Sequence, residues 1–439
     1  MSMVRKSIFL FGGQVAGIAL AMLGSIIFSR ALGAGGMGQY ALFQTTAGMA
    51  AAFSLMGLGS ANVYFINREK VPVEVVTTNG FKTSLFLGPA LAAAFAFAVL
   101  LFPKYFGHVS VITVVIFSSS LVAMALKTIL RPILVAEMAV RRMVAVDLIV
   151  HAVLVPGALG LAATSSFTAQ TALVVLAASN WVSSVLTLWY VRPNLRMSIP
   201  LDRRLLVRTI SYGAKLAAAN ILALFSLGIT VILLGYFRDK HFVNIGLYTR
   251  AVAVANLVIL VPVAFGPLLY AKWSSVTGEA RARQAEMATR LNLGYGLVGC
   301  LSIVFLGRHI LRLLYGEEFV PAAIALPILG PALVLHCVFG VTSNLLAAAG
   351  KAMVTAFILV GTVIVVASVT FLAVPHLGIR GAALGALCGN AFTATAGLVV
   401  CCRLFGLKLR ACLLPQRGDW AYIRQALRRP RPVPTEDKP

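Results

Sequence analysis

The chain has 439 residues, of which 60% are hydrophobic and 11% charged, with a mean hydropathy of +0.93. Soluble domains run at about 45–50% apolar and about 25% charged, which excludes a soluble enzyme or nucleic-acid-binding domain as the body of the molecule. The 37 Lys and Arg against 13 Asp and Glu give a net charge of +24; most of the cations flank apolar runs, so the excess reads as positive-inside topology and contact with anionic lipid, and it also suits an anionic substrate.

About twelve apolar runs cover roughly residues 8–29, 41–65, 81–102, 110–130, 144–163, 169–191, 210–235, 247–270, 289–306, 322–347, 354–374 and 380–402. Each is long enough to cross a hydrocarbon core of about 30 Å as a helix. Backbone groups cannot stay unpaired in lipid, and the short alternation of barrel strands is absent, so the runs are predicted helices. Arg5 and Lys6 precede the first run, which is too long for the apolar region of a signal peptide. With the N-terminus inside, the short inner loops hold far more Lys and Arg than the outer ones, and both termini are expected in the cytoplasm.

In chain order, span one carries small residues every fourth position, from Gly13 through Gly17, Ala21 and Ser25 to Ser29, and ends at Arg30. Such a seam lets helix backbones approach closely. Asn62 lies in span two. Span four holds Lys127 and Arg131 on one helix face with Ser120 and Met124. Asp147, early in span five, is the best-placed carboxylate, expected to pair with Arg141 or Arg142. The basic connector Arg192–Arg208, broken by Pro193 and Pro200, divides the chain near its middle. Lys215 and Asn220 follow in span seven, and Arg250 and Asn256 in span eight. A second small-residue seam, Gly381, Gly385, Gly389, Thr393 and Gly397, runs through span twelve.

A cation at mid-bilayer costs about 2.5–3.5 kcal/mol on insertion scales, so such residues snorkel to the interface or face a cavity or partner. Arg30, Lys127, Arg131, Lys215 and Arg250 are therefore cavity candidates. For Asn62, Asn180, Asn220, Asn256, Asn344 and Asn390, inter-helical hydrogen bonding is the ordinary role and sugar contact the functional one. His151 and His336 read as packed polar residues. The six cysteines show neither metal-ligand spacing nor a disulfide framework. No nucleotide-binding loop, metalloprotease motif or activated nucleophile is present, so no cofactor, metal or catalysis is expected.

Three segments are predicted: residues 1–208, a six-helix lobe ending in the connector; 209–405, a second six-helix lobe; and 406–439, a basic cytoplasmic tail. In the tail Trp420, Ile423 and Leu427 share a helical face suited to the inner membrane surface, and the last residues are expected to be disordered. The lobes echo each other. Gly38-Gln39-Tyr40 opens span two and Gly246-Leu247-Tyr248 opens span eight; Phe11-Gly12 resembles Tyr212-Gly213. Equal span numbers imply parallel repeats about an axis along the membrane normal.

The stretches SRALGAGGMGQYALFQ (29–44) with GLGSANVYFI (57–66), IGLYTRAVAVANLVILVPVAFGPLLYAKWS (245–274) and LRLLYGEEFVPAAIALPILGPALVLHCVFGVTSNLLAAAGK (311–351) resemble the Wzx-type polysaccharide-biosynthesis flippases of the multidrug/oligosaccharidyl-lipid/polysaccharide exporter superfamily. The resemblance implies an all-α polytopic protein of two six-helix lobes around a central cavity, lined by spans one, two, seven and eight. Those spans carry Arg30, Asn62, Lys215, Asn220, Arg250 and Asn256. It also implies a bacterial inner-membrane location, a lipid-linked oligosaccharide as substrate, and a polysaccharide polymerase and glycosyltransferases as pathway partners, with no role for nucleic acid. A multidrug exporter of the same architecture is the alternative, which would expect functional acids in the spans. A membrane glycosyltransferase or glycan ligase is a third reading, which would expect acidic motifs or a large outer loop.

Overall fold

The computed structural model describes residues 3–163, 167–237, 241–414 and 416, with 3–8 and 241 by backbone only. The predicted tail face around Trp420 and the side chains of Arg5 and Lys6 lie outside the described residues. The helices are α1 Met3–Leu55, α2 Leu58–Asn67, α3 Val73–Leu101, α4 Pro103–Phe106, α5 Val111–Ala136, α6 Val140–Ala163, α7 Ala169–Val191, α8 Arg203–Tyr236, α9 His241–Asn256, α10 Leu260–Ser275, α11 Gly278–Tyr315, α12 Leu326–Ala348, α13 Ala352–Leu377, α14 Ile379–Phe405 and α15 Leu409–Leu413. No strand occurs among the described residues.

Among the described residues, ten helical runs are long and apolar enough to cross a membrane, and the bent pair Phe242–Asn256 and Leu260–Ser275 makes an eleventh. One of the ten is the 59-residue run Phe9–Asn67. At 1.5 Å per residue it would stretch about 88 Å, roughly three hydrocarbon thicknesses, so it must pass twice. The reversal is at Gly33, whose φ is 64°, a left-handed conformation that a glycine adopts without cost from a Cβ. The rings of Phe28 and Tyr40 then meet at 5.0 Å, where a straight helix would hold them about 18 Å apart. The expected loop of some ten residues between spans one and two is thus a single reversed glycine, and the described residues make twelve passes.

The passes form two bundles, α1–α7 and α8–α14. The connector is strapped to the first of them. Asn79 of α3 donates to the Asp202 carbonyl at 3.1 Å and accepts from the Asp202 amide at 2.9 Å. Lys82 donates to the Ile199 carbonyl at 2.6 Å. Asp202 in turn caps α8 by accepting from Leu205 N at 3.0 Å, the ordinary work of an N-cap carboxylate. Both small-residue seams are packed against neighbouring helices over most of their length. Gly13 and Gly17 lie against Val144 and Leu148 of α6, Gly389 lies against Val366 of α13, and the hydroxyls of Thr362 and Thr393 bond at 2.7 Å.

The echoed motifs meet at the axis. A methyl group on Gly38 would overlap the carbonyl oxygen of Phe242, four residues before Gly246, and one on Gly246 would overlap that of Ala34, four residues before Gly38. The contact is reciprocal, as a two-fold axis requires, and only glycine at both positions allows it. The bundle interiors differ. The first is filled with aromatic rings, Phe43 lying 5.1 Å from Phe106 and 5.5 Å from Phe117. The second is hollow.

Candidate functional site

At the end opposite the connector, a clasp joins the bundles. Arg30 donates to the carbonyl of Leu314, at 3.0 Å, and to that of Leu313. It thereby caps the C-terminal end of α11, where a cation is favoured. In return, Glu318 accepts from Ala34 N at 2.7 Å, at the start of the helix that follows the Gly33 reversal, and its carboxylate leaves no room for a side chain on Gly33. Just inside lies Arg250 of α9, 9% exposed. Its guanidinium donates to the hydroxyls of Ser25 and Ser29 in the first bundle and sits 5.3 Å above the Tyr315 ring. Its Nε has no partner, and no carboxylate pairs with it among the described residues. A buried guanidinium without a counter-ion is costly; here the two serine hydroxyls and the tyrosine face offset part of that cost.

At the connector end the bundles touch along α2 and α8. Tyr64 stacks on Tyr212 at 4.2 Å, Arg208 pairs with Glu69 at 2.6 Å, and Gly57 meets Gly213 backbone to backbone. On the other flank, α10 bends 54° away from α9, leaving Val263, Phe265 and Leu268 exposed, as are Phe11, Val15 and Ile18 of α1. The molecule is therefore closed opposite the connector, and at the connector end its bundles touch along α2 and α8.

The break between α9 and α10 opens the second bundle. Backbone bonds change there from i→i+4 to i→i+3, with Val258 N to Ala255 O at 3.1 Å and Ile259 N to Asn256 O at 3.0 Å. A discontinuous helix at mid-span is a common position for a transporter's binding site. Three adjoining hollows of about 490, 330 and 320 Å³ converge on His336. Their polar lining is Asn256, Asn292, Asn344, Asn390, His336 and the hydroxyls of Ser226, Ser343, Thr230, Thr249, Thr362 and Thr393, with Tyr248 and Tyr270 among the apolar groups. None of the lining residues is Lys, Arg, Asp or Glu.

Of the residues nominated from sequence, Asn256, Asn344 and Asn390 line these hollows. Arg30 and Arg250 are brought together at the closed end instead. Lys127 and Arg131 stand apart in the first bundle. Arg131 grips Asp147 in a bidentate pair, Nε to Oδ1 at 2.7 Å. The expected partners Arg141 and Arg142 are corrected by this. Residues 131 and 147 face each other across the α5–α6 hairpin, while Arg142 stacks over Tyr190 at 5.6 Å. Asn62 donates to the Ile129 carbonyl at 3.1 Å, a packing role. Lys215 and Asn220 are exposed on α8 and line none of the three hollows. Sequence reasoning assigned no role to Tyr315 or Glu318 and read His336 as packing. The one available signal was Ser25 and Ser29, spaced four apart toward Arg30.

Twelve passes in two bundles about a two-fold axis, joined at one end, define a polytopic all-α membrane protein. Solved structures share this fold. The chain matches a multidrug resistance MATE family transporter of the MOP superfamily in its inward-facing conformation at TM-score 0.74 and 16% identity, covering 87% of this chain and 93% of that one. The outward-facing conformation of such a transporter matches at 0.61 and 16%, covering 90% and 94%. The lipid II flippase MurJ, inward closed, matches at 0.72 and 14%, covering 90% and 87%. By sequence, no curated protein matches the chain. The profile of the polysaccharide biosynthesis protein family matches residues 3–267, and the chain belongs to that family.

Proposed function

We propose that the protein is a flippase that carries a polyisoprenyl-diphosphate-linked oligosaccharide from the cytoplasmic to the outer leaflet of a bacterial inner membrane, with both termini in the cytoplasm. A sugar-diphosphate head group cannot cross hydrocarbon unaided, because its polar groups would lose water without replacement. The connector end, where α10 bends away from α9, is the expected side of entry for the head group, with the lipid tail staying in the bilayer. Opening of the clasp then gives exit on the other side, as the bundles rock. The observation that carries the reading is Arg250, buried at the seam on two serine hydroxyls and a tyrosine face with no carboxylate. Parting of the bundles frees its guanidinium for a diphosphate through charge-assisted hydrogen bonds. An inside-negative potential drives an anion outward by about 2.3 kcal/mol per charge per 100 mV. The polymerase and glycosyltransferases of the same polysaccharide pathway are the expected partners.

The test is transfer of a fluorescent lipid-linked oligosaccharide across proteoliposomes. Arg250→Ala is expected to lower the rate at least tenfold with the protein folded, and Arg250→Lys to recover part of it. Normal transfer by Arg250→Ala removes the residue from the pathway. The MATE likeness raises multidrug export as a second reading; the three hollows lack the carboxylate that a lipophilic cation would seek, which weighs against it.

A further inference from the structure

We infer that the hollow in the second bundle is a subsite for uncharged sugar residues of the head group, separate from the cations that would take the diphosphate. The inference rests on the flippase reading. It starts from which polar atoms are already spent. Asn292, Asn344 and Asn390 each donate an amide hydrogen to the carbonyl four residues back in their own helix, at 2.9, 2.7 and 2.9 Å. Those bonds fix the amide planes. They leave the Oδ1 of Asn292 and Asn344 unclaimed among the described residues, while the Oδ1 of Asn390 meets His336 Nδ1 at 3.2 Å. A carbonyl oxygen accepts only, so Nδ1 is the donor, and in the neutral imidazole Nε2 is left as an acceptor. Asn256, at the helix break, is exposed and its side chain makes no bond among the described residues.

The wall thus presents mainly acceptors, with one free amide and no formal charge. Sugar hydroxyls match it, since each brings a donor hydrogen. Carboxylate and phosphate do not, because they are acceptors only and would meet oxygen and unprotonated nitrogen without a cation to offset their desolvation. The Tyr270 ring beside these groups offers an apolar face for sugar C–H bonds. A volume of about 490 Å³ falls within the ordinary range for small-molecule sites, roughly 300–1,000 Å³. The hollows lie against the α9–α10 bend at which Asn256 is exposed.

The experiment measures binding to the full-length protein in lipid nanodiscs with three probes: polyprenyl diphosphate without sugar, the same lipid bearing a neutral trisaccharide, and the same lipid with one hexuronic acid in that trisaccharide. The neutral glycolipid is expected to bind at least about tenfold tighter than the bare lipid, the worth of one or two net hydrogen bonds. The acidic one should show no such gain. Asn256→Leu, which breaks no bond in the described structure, should erase the gain while leaving bare-lipid affinity alone; His336→Leu should do the same. The subsite is overturned if the bare lipid binds but the neutral sugars add nothing, if the acidic trisaccharide gains as much as the neutral one, or if the gain survives both substitutions. Failure of all three lipids to bind protein with an unchanged melting temperature would instead overturn the flippase reading, and the subsite with it.

Discussion

Replacing Gly246 with alanine tests the closed end directly. A methyl group there would lie well inside van der Waals contact with the Ala34 carbonyl oxygen and 3.2 Å from Gly38 N. Restoring even a C–H···O spacing of about 3.3 Å requires the two helices to part by about 1 Å. Both neighbours are backbone, so no side chain can turn aside, and forced repacking of this kind costs about 1–3 kcal/mol. The strain falls on the seam between bundles rather than within either one. It therefore weighs on the closed state and spares the fold. At 1.4 kcal/mol per factor of ten, the balance shifts toward the outward-open state by roughly 5- to 150-fold. Spin labels at the exposed positions Lys104 and Arg308, one in each bundle at the closed end, report the change by double electron–electron resonance in a cysteine-free background. A longer-distance population should grow in Gly246→Ala, and again in Gly38→Ala. An unchanged distance distribution in both would refute the backbone-to-backbone seam.

The clasp gives a milder version of the same result: Glu318→Gln keeps the shape but removes the charge beside Ala34 N and the helix start, and should raise the outward population a few-fold in that assay. Arg131→Ala strands Asp147 beside the membrane, and should lower the melting temperature of solubilised protein more than Arg131→Ala with Asp147→Ala. Both side chains are partly exposed, 28% and 44%, so the loss should be about 1 kcal/mol rather than the 3–5 of a fully buried pair. Equal melting points for the single and double variants would show that the pair is idle. Cys412, just beyond the last span, has its thiol pushed up to about 11, chiefly by burial and then by Cys402 and Glu286, with Arg290 acting the other way. A folded-state value above the usual thiol range means a protonated, unreactive group at neutral pH. Alkylation of a variant keeping only this cysteine should stay slow at pH 7 and climb toward pH 11, whereas a midpoint near 8 would place the thiol in water.

The spans were legible because hydrocarbon imposes length and apolarity without reference to tertiary contacts. The two-fold arrangement was legible through Gly38 and Gly246, since a crossing of backbones admits one residue type and so leaves a mark in sequence. What stayed hidden was anything that depends on which face of a helix turns inward. Gly33 reads as one glycine among several in a small-residue loop, and its reversed φ belongs to the carboxylate of Glu318, 285 positions away. Asp147 has nearer arginines in sequence, yet the hairpin brings it Arg131. Asn62 and Asn256 are equivalent as letters; one is spent on the Ile129 carbonyl, and the other stands free at a break whose mark in sequence is Pro262, which cannot donate to the Val258 carbonyl.

The reciprocal glycine contact has the form of a dimer interface folded into one chain. In a true dimer of identical halves, any change on one side is imposed on the other, so a hollow bundle would oblige its twin to be hollow too. Joining the halves lifts that obligation. Four residues past one glycine stands Leu42, and four past the other stands Arg250; one interior is plugged with phenylalanine, and its counterpart is free to hold a passenger.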